Sequence, residues 1–519
     1  KFVDDNPDMK ILLLSQTFML QTGKFVMSPS KIQEKESSAM SLERDDTDKA
    51  DMEKHFKIAS QFSCPQTYLF NWHEQAGAFQ RLIPPWKSVR VIDSDYRITN
   101  GSRTVFSIGI GLVSTKWEAI HQGYRYPERF IDVQKSGPFK SWEHQHLFSE
   151  LPDGSLLTDD ITYKLPAGIL GEWLLSKKIE DDVEQMFKFR HQRTRNDLSR
   201  LADFSGQRMK IAISGCSGLI GSELRAFLLG GGHEVIRISR NPTDDPCEAY
   251  WDSVKGELDT TNLEGLDAFI HLAGENIAGK RWTTNQKLRL YNSRVDGTRK
   301  IAEALANCAE PPKAFICASA TGIYGDSGDQ WVEEGSEDNC GSFLATICRD
   351  WEGACDPLRS CSRVVHSRFG IVISPKGGAL KNMLLPFKLG LGGKVGNGKQ
   401  YWSWISLDDA VYSLARLIRD ESFVGPVNIV SPQVLTNLEF TKILGRVLGR
   451  PTLFPIPSLM ARAAFGEMAE ALLLCSCRVR SLKLQQGKHE FAYPELEGVL
   501  RDYLGKNKTV SEDITGVPE

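Results

Sequence analysis

"KIAISGCSGLIGSEL", residues 210–224, is the stretch that decides the fold. It starts as a short apolar run, passes through a glycine-rich turn and ends in residues that favour a helix. Downstream, apolar runs keep alternating with helical segments, in the order "EVIRIS", "DAFIHLAG", "SRVDGTRKIAEALANC" and "KAFICASA". Continuously apolar strands that alternate with helices predict a buried parallel sheet with helices on both faces.

The turn holds three glycines, Gly215, Gly218 and Gly221, in a Gly-x-x-Gly-x-x-Gly pattern. The first allows a tight turn out of the strand, the second lets the backbone approach a pyrophosphate, and the third lets the helix pack against the sheet. A pattern of this kind between a strand and a helix predicts a dinucleotide site, with the phosphates at the helix N-terminus. The predicted contacts in the turn are Gly215, Ser217, Gly218, Leu219, Ile220 and Gly221.

The end of the second strand indicates which dinucleotide is bound. It reads "RISRNP", so Ser239 and Arg240 stand where a NAD-binding protein usually has an acidic residue for the ribose 2′-hydroxyl. An arginine suits a 2′-phosphate, through charge-assisted hydrogen bonds. We therefore expect NADP(H), with NAD(H) as the less favoured alternative; an exposed Arg240 with no ligand is the purely structural explanation.

The chain has 519 residues, too many for one typical core, so two or three domains are expected. Residues 1–52 are polar and charged, which predicts an irregular extension. Residues 53–202 contain short alternating runs, turn residues and a long closing helix, which predicts an antiparallel sheet gripping a helix, with a cavity between them. A parallel α/β domain is predicted over 208–432. After it come residues 433–506, which the family resemblance described below implies to be a small C-terminal, substrate-side domain, and a tail over 507–519.

Composition excludes several classes of protein. With a net charge of −3, the chain lacks the excess positive charge that is typical of proteins that bind nucleic acid or an anionic membrane surface. No apolar run approaches the roughly 18 residues of a transmembrane helix. The 11 scattered cysteines fit an intracellular reducing compartment. Because the chain begins at Lys1, we expect either an organelle (plastid or mitochondrion) after presequence removal, or the cytoplasm.

Five longer motifs carry a family resemblance: "HLAGENIAGKRWT", "SATGIYGDSGD", "FLATICRDWE", "GIVISPKGGALKNMLLPFKLGLGG" and "YWSWISLDDAV". Over about residues 210–504 the chain resembles the atypical extended short-chain dehydrogenase/reductases, within them the epimerase subgroup once described as cell-division-inhibitor-like. Residues 55–201, with "FNWHEQAGAFQRLIPPW" and "GPFKSWEHQHLF", resemble the START-like polyketide-cyclase superfamily. The resemblance implies a Rossmann fold, a doubly wound parallel sheet, with a small C-terminal domain. It also implies a preceding α+β helix-grip domain that holds a small-molecule or lipid-like ligand.

The resemblance also assigns site residues. His271, Leu272, Ala273 and Gly274 would line the adenosine side of the cofactor, and Ser319 and Tyr324 would lie near the nicotinamide as candidate catalytic residues.

One departure from the family pattern matters more than these assignments. Short-chain dehydrogenases move a proton with a Tyr-x-x-x-Lys pair, and the two expected positions hold Leu344 and Cys348 here. The hydroxyl expected four residues before Tyr324 falls on Ala320, although Ser319 and Thr321 flank it. Tyr324 would then be a substitute proton donor or a tyrosine that packs in a loop.

Two hypotheses follow. The first is an NADP(H)-dependent reductase or epimerase that acts on a small organic substrate. The second is a catalytically inactive NADP(H)-binding scaffold or an accessory subunit of a larger complex, because the catalytic pair is missing. No metal site is assigned, since His73, His144 and His146 lack ligand partners at useful spacing along the chain.

Overall fold

The computed structural model describes residues 53–110, 113–165, 169–204, 206–241, 245–252, 255–337 and 341–507. The predicted extension over 1–52 lies outside these ranges, as does the predicted tail beyond Asn507. The chain from Asp51 onward clusters as one compact unit.

The first layer is a seven-stranded antiparallel sheet closed by a long helix. Its strands are β1 (Lys54–Phe62), β2 (Val89–Ser94), β3 (Arg103–Ile110), β4 (Val113–Arg125), β5 (Arg129–Ser136), β6 (Ser141–Leu151) and β7 (Gly154–Lys164), in the order β1-β7-β6-β5-β4-β3-β2. Helices α1 (Gln66–Glu74) and α2 (Ala78–Arg81) follow β1, and α3 (Ile169–Ala202) follows β7. This succession of a strand, helices, strands and a final long helix agrees with the alternating pattern of the sequence.

Aromatic side chains of the sheet pack against the described side chains of α3. Val183 and Phe187 of α3 are buried, and Ile179 and Met186 pack beside them, so the helical spacing in the sequence marks the buried face. Their neighbours on the sheet side are Phe56, Ile58, Trp117, Phe139, Trp142, Ile161 and Tyr163.

The second layer is the predicted parallel sheet. Its strands are β8 (Lys210–Ser214), β9 (Glu234–Ser239), β10 (Glu248–Asp252), β11 (Glu257–Leu258), β12 (Ala268–His271), β13 (Ala314–Ala320), β15 (Arg363–Phe369) and β19 (Gly425–Ile429). The order is β11-β10-β9-β8-β12-β13-β15-β19, and all neighbours are parallel except β10 and β11. The strand order therefore reverses beside β8, as in a doubly wound Rossmann sheet, and ligands bind at such a switch point.

Helices cover both faces of the parallel sheet because successive strand residues point to opposite sides. Ile211 and Ile213 share one core with α4 (Leu219–Gly230) and α8 (Leu407–Arg419). Ala212 between them shares another with α5 (Thr284–Ala306) and α6 (Phe343–Gly353). The first of these cores continues into the antiparallel layer, where it includes Leu69, Phe70, Trp72, Leu198 and Leu201.

A buried ion network also joins the antiparallel layer to the parallel layer. Arg81 at the end of α2 has no exposed surface, and its guanidinium donates to both carboxylate oxygens of Asp197 on α3, at 2.7 and 2.8 Å. It also donates to Glu223 on α4 at 2.9 Å and to Asp408 on α8 at 3.2 Å. Arg193 of α3 pairs with Asp408, and Lys376 pairs with Glu223. Three cations thus face three carboxylates between the layers.

The remaining helices and short strands follow β13 along the chain. The helices are α7 (Gly378–Lys388), α9 (Asn437–Leu448), α10 (Ser458–Phe465), α11 (Glu467–Ala469), α12 (Leu482–Gln486) and α13 (Leu496–Tyr503). Three two-stranded pairs join β14 (Trp331–Val332) to β21 (Arg478–Val479), β16 (Ile371–Ile373) to β18 (Trp404–Ser406), and β17 (Tyr401–Trp402) to β20 (Leu435–Thr436). Of the helices in the described ranges, none has the length and apolarity needed to cross a bilayer.

Candidate functional site

The glycine turn has the geometry of a phosphate-binding loop. Gly215 has a φ of +75°, and a Cβ there would lie 2.8 Å from the carbonyl carbon of Leu272, so only glycine fits. A Cβ on Gly221 would lie 2.3 Å from the Gly215 carbonyl oxygen, which explains the third glycine. Gly218 is the exposed N-cap of α4, with no capping side chain and no acidic residue in the first turn. The helix N-terminus is therefore open to an anion.

The neighbouring strand β12 supplies the second wall of this site. Its end runs through His271 into Leu272, Ala273 and Gly274, and the Gly215 turn lies directly against the 272–273 backbone. The His271 side chain is not part of this wall, because it is 1% exposed and its Nδ1 lies 2.7 Å from Ser214 Oγ. Burial lowers the pKa of His271 to about 4, so the ring is neutral. Only the backbone of this predicted contact can reach a cofactor.

Ser239 and Arg240 lie at the carboxyl end of β9, next to the glycine turn in the sheet order. Ser239 accepts a hydrogen bond from the Asn241 backbone at 3.2 Å. Arg240 is exposed, and within the described ranges no hydrogen bond or ion pair involves its guanidinium. A charged, unengaged arginine beside the open helix N-terminus fits a second phosphate on the same ligand.

Ser319 and Tyr324 are held in a buried network below the end of β13. Ser319 Oγ donates to Glu352 at 2.7 Å, and Arg368 forms a bidentate pair with the same carboxylate. The Tyr324 hydroxyl accepts from Arg368 at 2.9 Å and donates to Asn428 at 2.8 Å. Their exposed fractions are 3% for Ser319 and 6% for Tyr324.

The electrostatics of Tyr324 also favour packing over proton transfer. Burial raises the pKa of Tyr324 to about 12, although the Arg368 guanidinium acts in the opposite direction. A proton donor works best when its pKa lies near the working pH, so Tyr324 is poorly suited to the task.

The two positions of the missing catalytic pair lie on α6, and neither side chain carries charge. Leu344 packs over Gly322, where a Cβ would come within 2.6 Å of its Cδ2. Burial raises the pKa of the Cys348 thiol to about 12, so it stays protonated. The expected lysine is thus replaced by a neutral, buried group.

Sequence reasoning missed one residue in this region, Arg294 of α5. Its guanidinium carbon lies 3.4 Å from where a Cβ of Gly274 would stand, and 5.2 Å from the centre of the Trp351 ring. Burial lowers its pKa, and the nearby groups that act on it are Cys348 and Glu275. Gly274 therefore gives Arg294 room beside the end of β12. No signal in a single sequence separates this arginine from others on an amphipathic helix.

Comparison with known proteins agrees with this geometry. Residues 211–346 match the model of the NAD dependent epimerase/dehydratase family, and residues 456–503 match a domain of unknown function. An epimerase family protein of Mycobacterium bovis is 42% identical over 282 residues, which are 54% of this chain and 93% of that protein. The human epimerase family protein SDR39U1 is 33% identical over 298 residues, which are 57% of this chain and all of that one.

The chain belongs to the NAD dependent epimerase/dehydratase family. Two solved structures show what this family member shares with others. A crystal structure of human SDR39U1, isoform 2, described as containing NADPH, is 31% identical over 58% of this chain and all of its own, with a TM-score of 0.54.

The second solved structure reaches further along the chain. A nucleoside-diphosphate sugar epimerase from Corynebacterium glutamicum is 31% identical over 88% of this chain and 91% of its own, with a TM-score of 0.73. Residues 208–507 are a smaller part of the chain than this 88%, so the match also includes residues before position 208. This epimerase-family protein therefore shares more than its parallel sheet with that structure.

Proposed function

We propose that this protein binds NADP(H) at the carboxyl ends of β8, β9 and β12 and uses it for hydride transfer to or from a small organic substrate. The observation that carries the proposal is the glycine turn, whose Gly215 and Gly221 are sterically obligatory and whose Gly218 leaves the α4 N-terminus open. The NADPH in the human relative supports the choice of cofactor.

The preference for NADP(H) over NAD(H) is assigned to Arg240. We expect Arg240→Ala to weaken NADPH binding by roughly 10- to 100-fold, since charge-assisted hydrogen bonds contribute about 1.5–3 kcal/mol. NADH lacks the 2′-phosphate, so its affinity should not change. Fluorescence titration of both nucleotides measures the two constants. Arg208→Ala is the matched control, because Arg208 is 72% exposed and precedes the amino end of β8, whereas the proposed site lies at the carboxyl ends of the strands. An equal loss for NADPH and NADH would contradict this role.

The nicotinamide, when bound, would supply or accept the hydride, and the protein would position the reactants. The positive charge that the family's lysine gives to the cofactor ribose is assigned here to Arg294. It stands beside Gly274 at the end of β12 and close to Cys348, the position that lacks the lysine. Guanidinium keeps its charge even when partly buried, so it can hold ribose hydroxyls and a developing oxyanion.

The test is NADPH consumption across a panel of carbonyl compounds that includes nucleoside-diphosphate sugars, the class named for the Corynebacterium relative. Arg294→Gln should lower turnover by about 100-fold or more, and Arg294→Lys should recover part of it, because the charge is restored. Arg299→Gln, on the exposed side of the same helix, should leave turnover unchanged. Turnover by Arg294→Gln at the wild-type rate would refute the role of Arg294.

A second candidate function is cofactor binding without catalysis, as in a scaffold or accessory subunit. This candidate is favoured because the Ser319 and Tyr324 hydroxyls already hydrogen-bond to Glu352, Arg368 and Asn428. The same panel separates the two candidates. Tight NADPH binding with no NADPH consumption by any compound would favour the scaffold.

The function of the antiparallel layer is proposed from its resemblance to START-like domains. A lipid-like ligand there would have to displace aromatic side chains such as Phe187, Trp142 and Tyr163, which pack against one another in the described residues. Organic extraction of purified protein followed by mass analysis tests it. Recovery of a stoichiometric apolar compound is the result that this proposal requires.

A further inference from the structure

A row of histidines and aspartates crosses the antiparallel sheet on the face that meets α3. Strand pairing places His121 of β4 opposite Asp132 of β5, Asp132 opposite His144 of β6, and His146 opposite Asp159 of β7. His144 and His146 are two residues apart on one strand, so both point to the same face. The register of the sheet therefore creates this row, and the pairing between strands cannot be recognised from spacing along the chain.

Three atoms in this row surround one point. Asp132 Oδ2 lies 3.3 Å from His146 Nε2 and 3.8 Å from His144 Nδ1. Asp132, His144 and His146 can each present one ligand atom within 4.8 Å of the other two. A tetrahedral zinc ion with bonds of about 2.0–2.1 Å keeps its ligand atoms roughly 3.3 Å apart. The observed separations are thus close to those of a metal site that needs only small side-chain adjustment.

The opposite edges of the two imidazoles face a second carboxylate. Asp159 Oδ1 lies 3.0 Å from His144 Nε2 and 2.8 Å from His146 Nδ1. Its other oxygen lies 2.8 Å from His191 Nε2 of α3. Metal-binding histidines commonly direct their second ring nitrogen at a carboxylate, which orients the ring and increases its basicity. Asp159 faces the second ring nitrogen of both His144 and His146 in this way.

Burial supports a defined site at this point. Asp132 Oδ1 lies 2.9 Å from His121 Nε2, and His146 Nδ1 lies 2.8 Å from Asp159 Oδ1. The atoms of these two residues that remain for a metal are therefore Asp132 Oδ2 and His146 Nε2. The side chains of His144, His146 and Asp159 are 2%, 8% and 3% exposed. Asp132 keeps 26% of its side chain exposed, which offers a route of entry.

We propose that Asp132, His144 and His146 bind one divalent transition-metal cation of the zinc class, with Asp159 orienting both imidazoles from the side away from the metal. Imidazole and carboxylate ligands suit Zn²⁺ and its neighbours in the first transition row. Two carboxylates in the row supply the two negative charges that such a cation balances. Three protein ligands leave a fourth position for water or another small ligand, as in catalytic zinc sites.

The test uses the full chain after chelator treatment and dialysis, with ZnCl₂ and CoCl₂ as the probes. Calorimetry should give one Zn²⁺ per chain, and Co²⁺ should produce the intense visible absorption of a tetrahedral complex. His146→Gln should weaken Zn²⁺ binding by at least about 100-fold. Asp159→Asn should weaken it by about 10- to 100-fold, the range for outer carboxylate partners.

The matched control is His55→Gln. His55 of β1 also pairs with an aspartate of β7, Asp160, at 2.6 Å, but its side chain is 58% exposed. This variant should bind Zn²⁺ like the wild type. If His146→Gln fails to fold, the Co²⁺ spectrum and Zn²⁺ stoichiometry of the wild type decide the question. No stoichiometric binding, an octahedral Co²⁺ spectrum, or equal binding by His146→Gln and the wild type would overturn the proposal and leave an ion-pair row held by protons alone.

Discussion

Arg81→Met should lower the free energy of unfolding by about 3–5 kcal/mol, the usual effect of removing one partner from a buried ion pair. Arg81 is completely buried and contacts Asp197, Glu223 and Asp408 together. Without it, Asp197 keeps only the Tyr412 hydroxyl at 2.7 Å among its described side-chain donors. In the wild type the Glu223 carboxylate is ionised, since Lys376 and Arg81 overcome the effect of burial and lower its pKa to about 2. The variant therefore leaves charge buried without adequate compensation.

Urea unfolding followed by circular dichroism measures this effect, and Arg103→Met is its control. Arg103 also contacts two carboxylates, Asp93 and Glu118, but it is 38% exposed. Exposed ion pairs contribute up to about 1 kcal/mol, so the control should unfold almost like the wild type. Equal unfolding midpoints for the two variants would show that the network does not hold the layers together.

Gly218→Asp should abolish tight NADPH binding without unfolding the protein. Aspartate is a favourable N-cap residue, and Gly218 has the extended φ and ψ of an N-cap, −77° and 171°. The new carboxylate would stand where the pyrophosphate is expected and would accept from the same backbone N–H groups. Two like charges a few ångströms apart near a protein surface repel by about 3–4 kcal/mol, which corresponds to more than 100-fold in affinity.

Gly218→Asn separates charge from size in this experiment. A Cβ at Gly218 would lie 3.1 Å from the Gly215 carbonyl oxygen, so both variants meet the same modest crowding. Only the aspartate adds repulsion, and we expect it to bind NADPH at least about 10-fold more weakly than the asparagine variant. Equal affinities would mean that the phosphates do not lie at the α4 N-terminus.

The sequence predicts the parallel sheet and its cofactor turn well because both are encoded locally. The apolar run, the three glycines and the following helix are contiguous, and Gly215 and Gly221 contact residues that are near in the chain or on the next strand. The location of Arg240 could likewise be predicted, because it directly follows the last residue of β9. The family resemblance implies that His271 lines the adenosine side of the cofactor, but its side chain points into the core.

The features that sequence reasoning missed are those made by long-range contacts. Arg81 meets Asp408 across 327 residues, and no local pattern marks either as buried. His144 and His146 looked like ordinary sheet residues because their partners, Asp132 and Asp159, come from neighbouring strands. The register of β13 directs the Ser319 hydroxyl to Glu352 in the buried network below the strand end.

Calorimetric titration of the full chain with NADPH and NADH in parallel tests the proposed cofactor site directly. We expect saturable binding of NADPH, and binding of NADH that is weaker by about 10-fold or more because it lacks the phosphate that Arg240 would bind. Failure of both nucleotides to bind would contradict the proposed cofactor site, since the glycine turn would then be a strand–helix connection only.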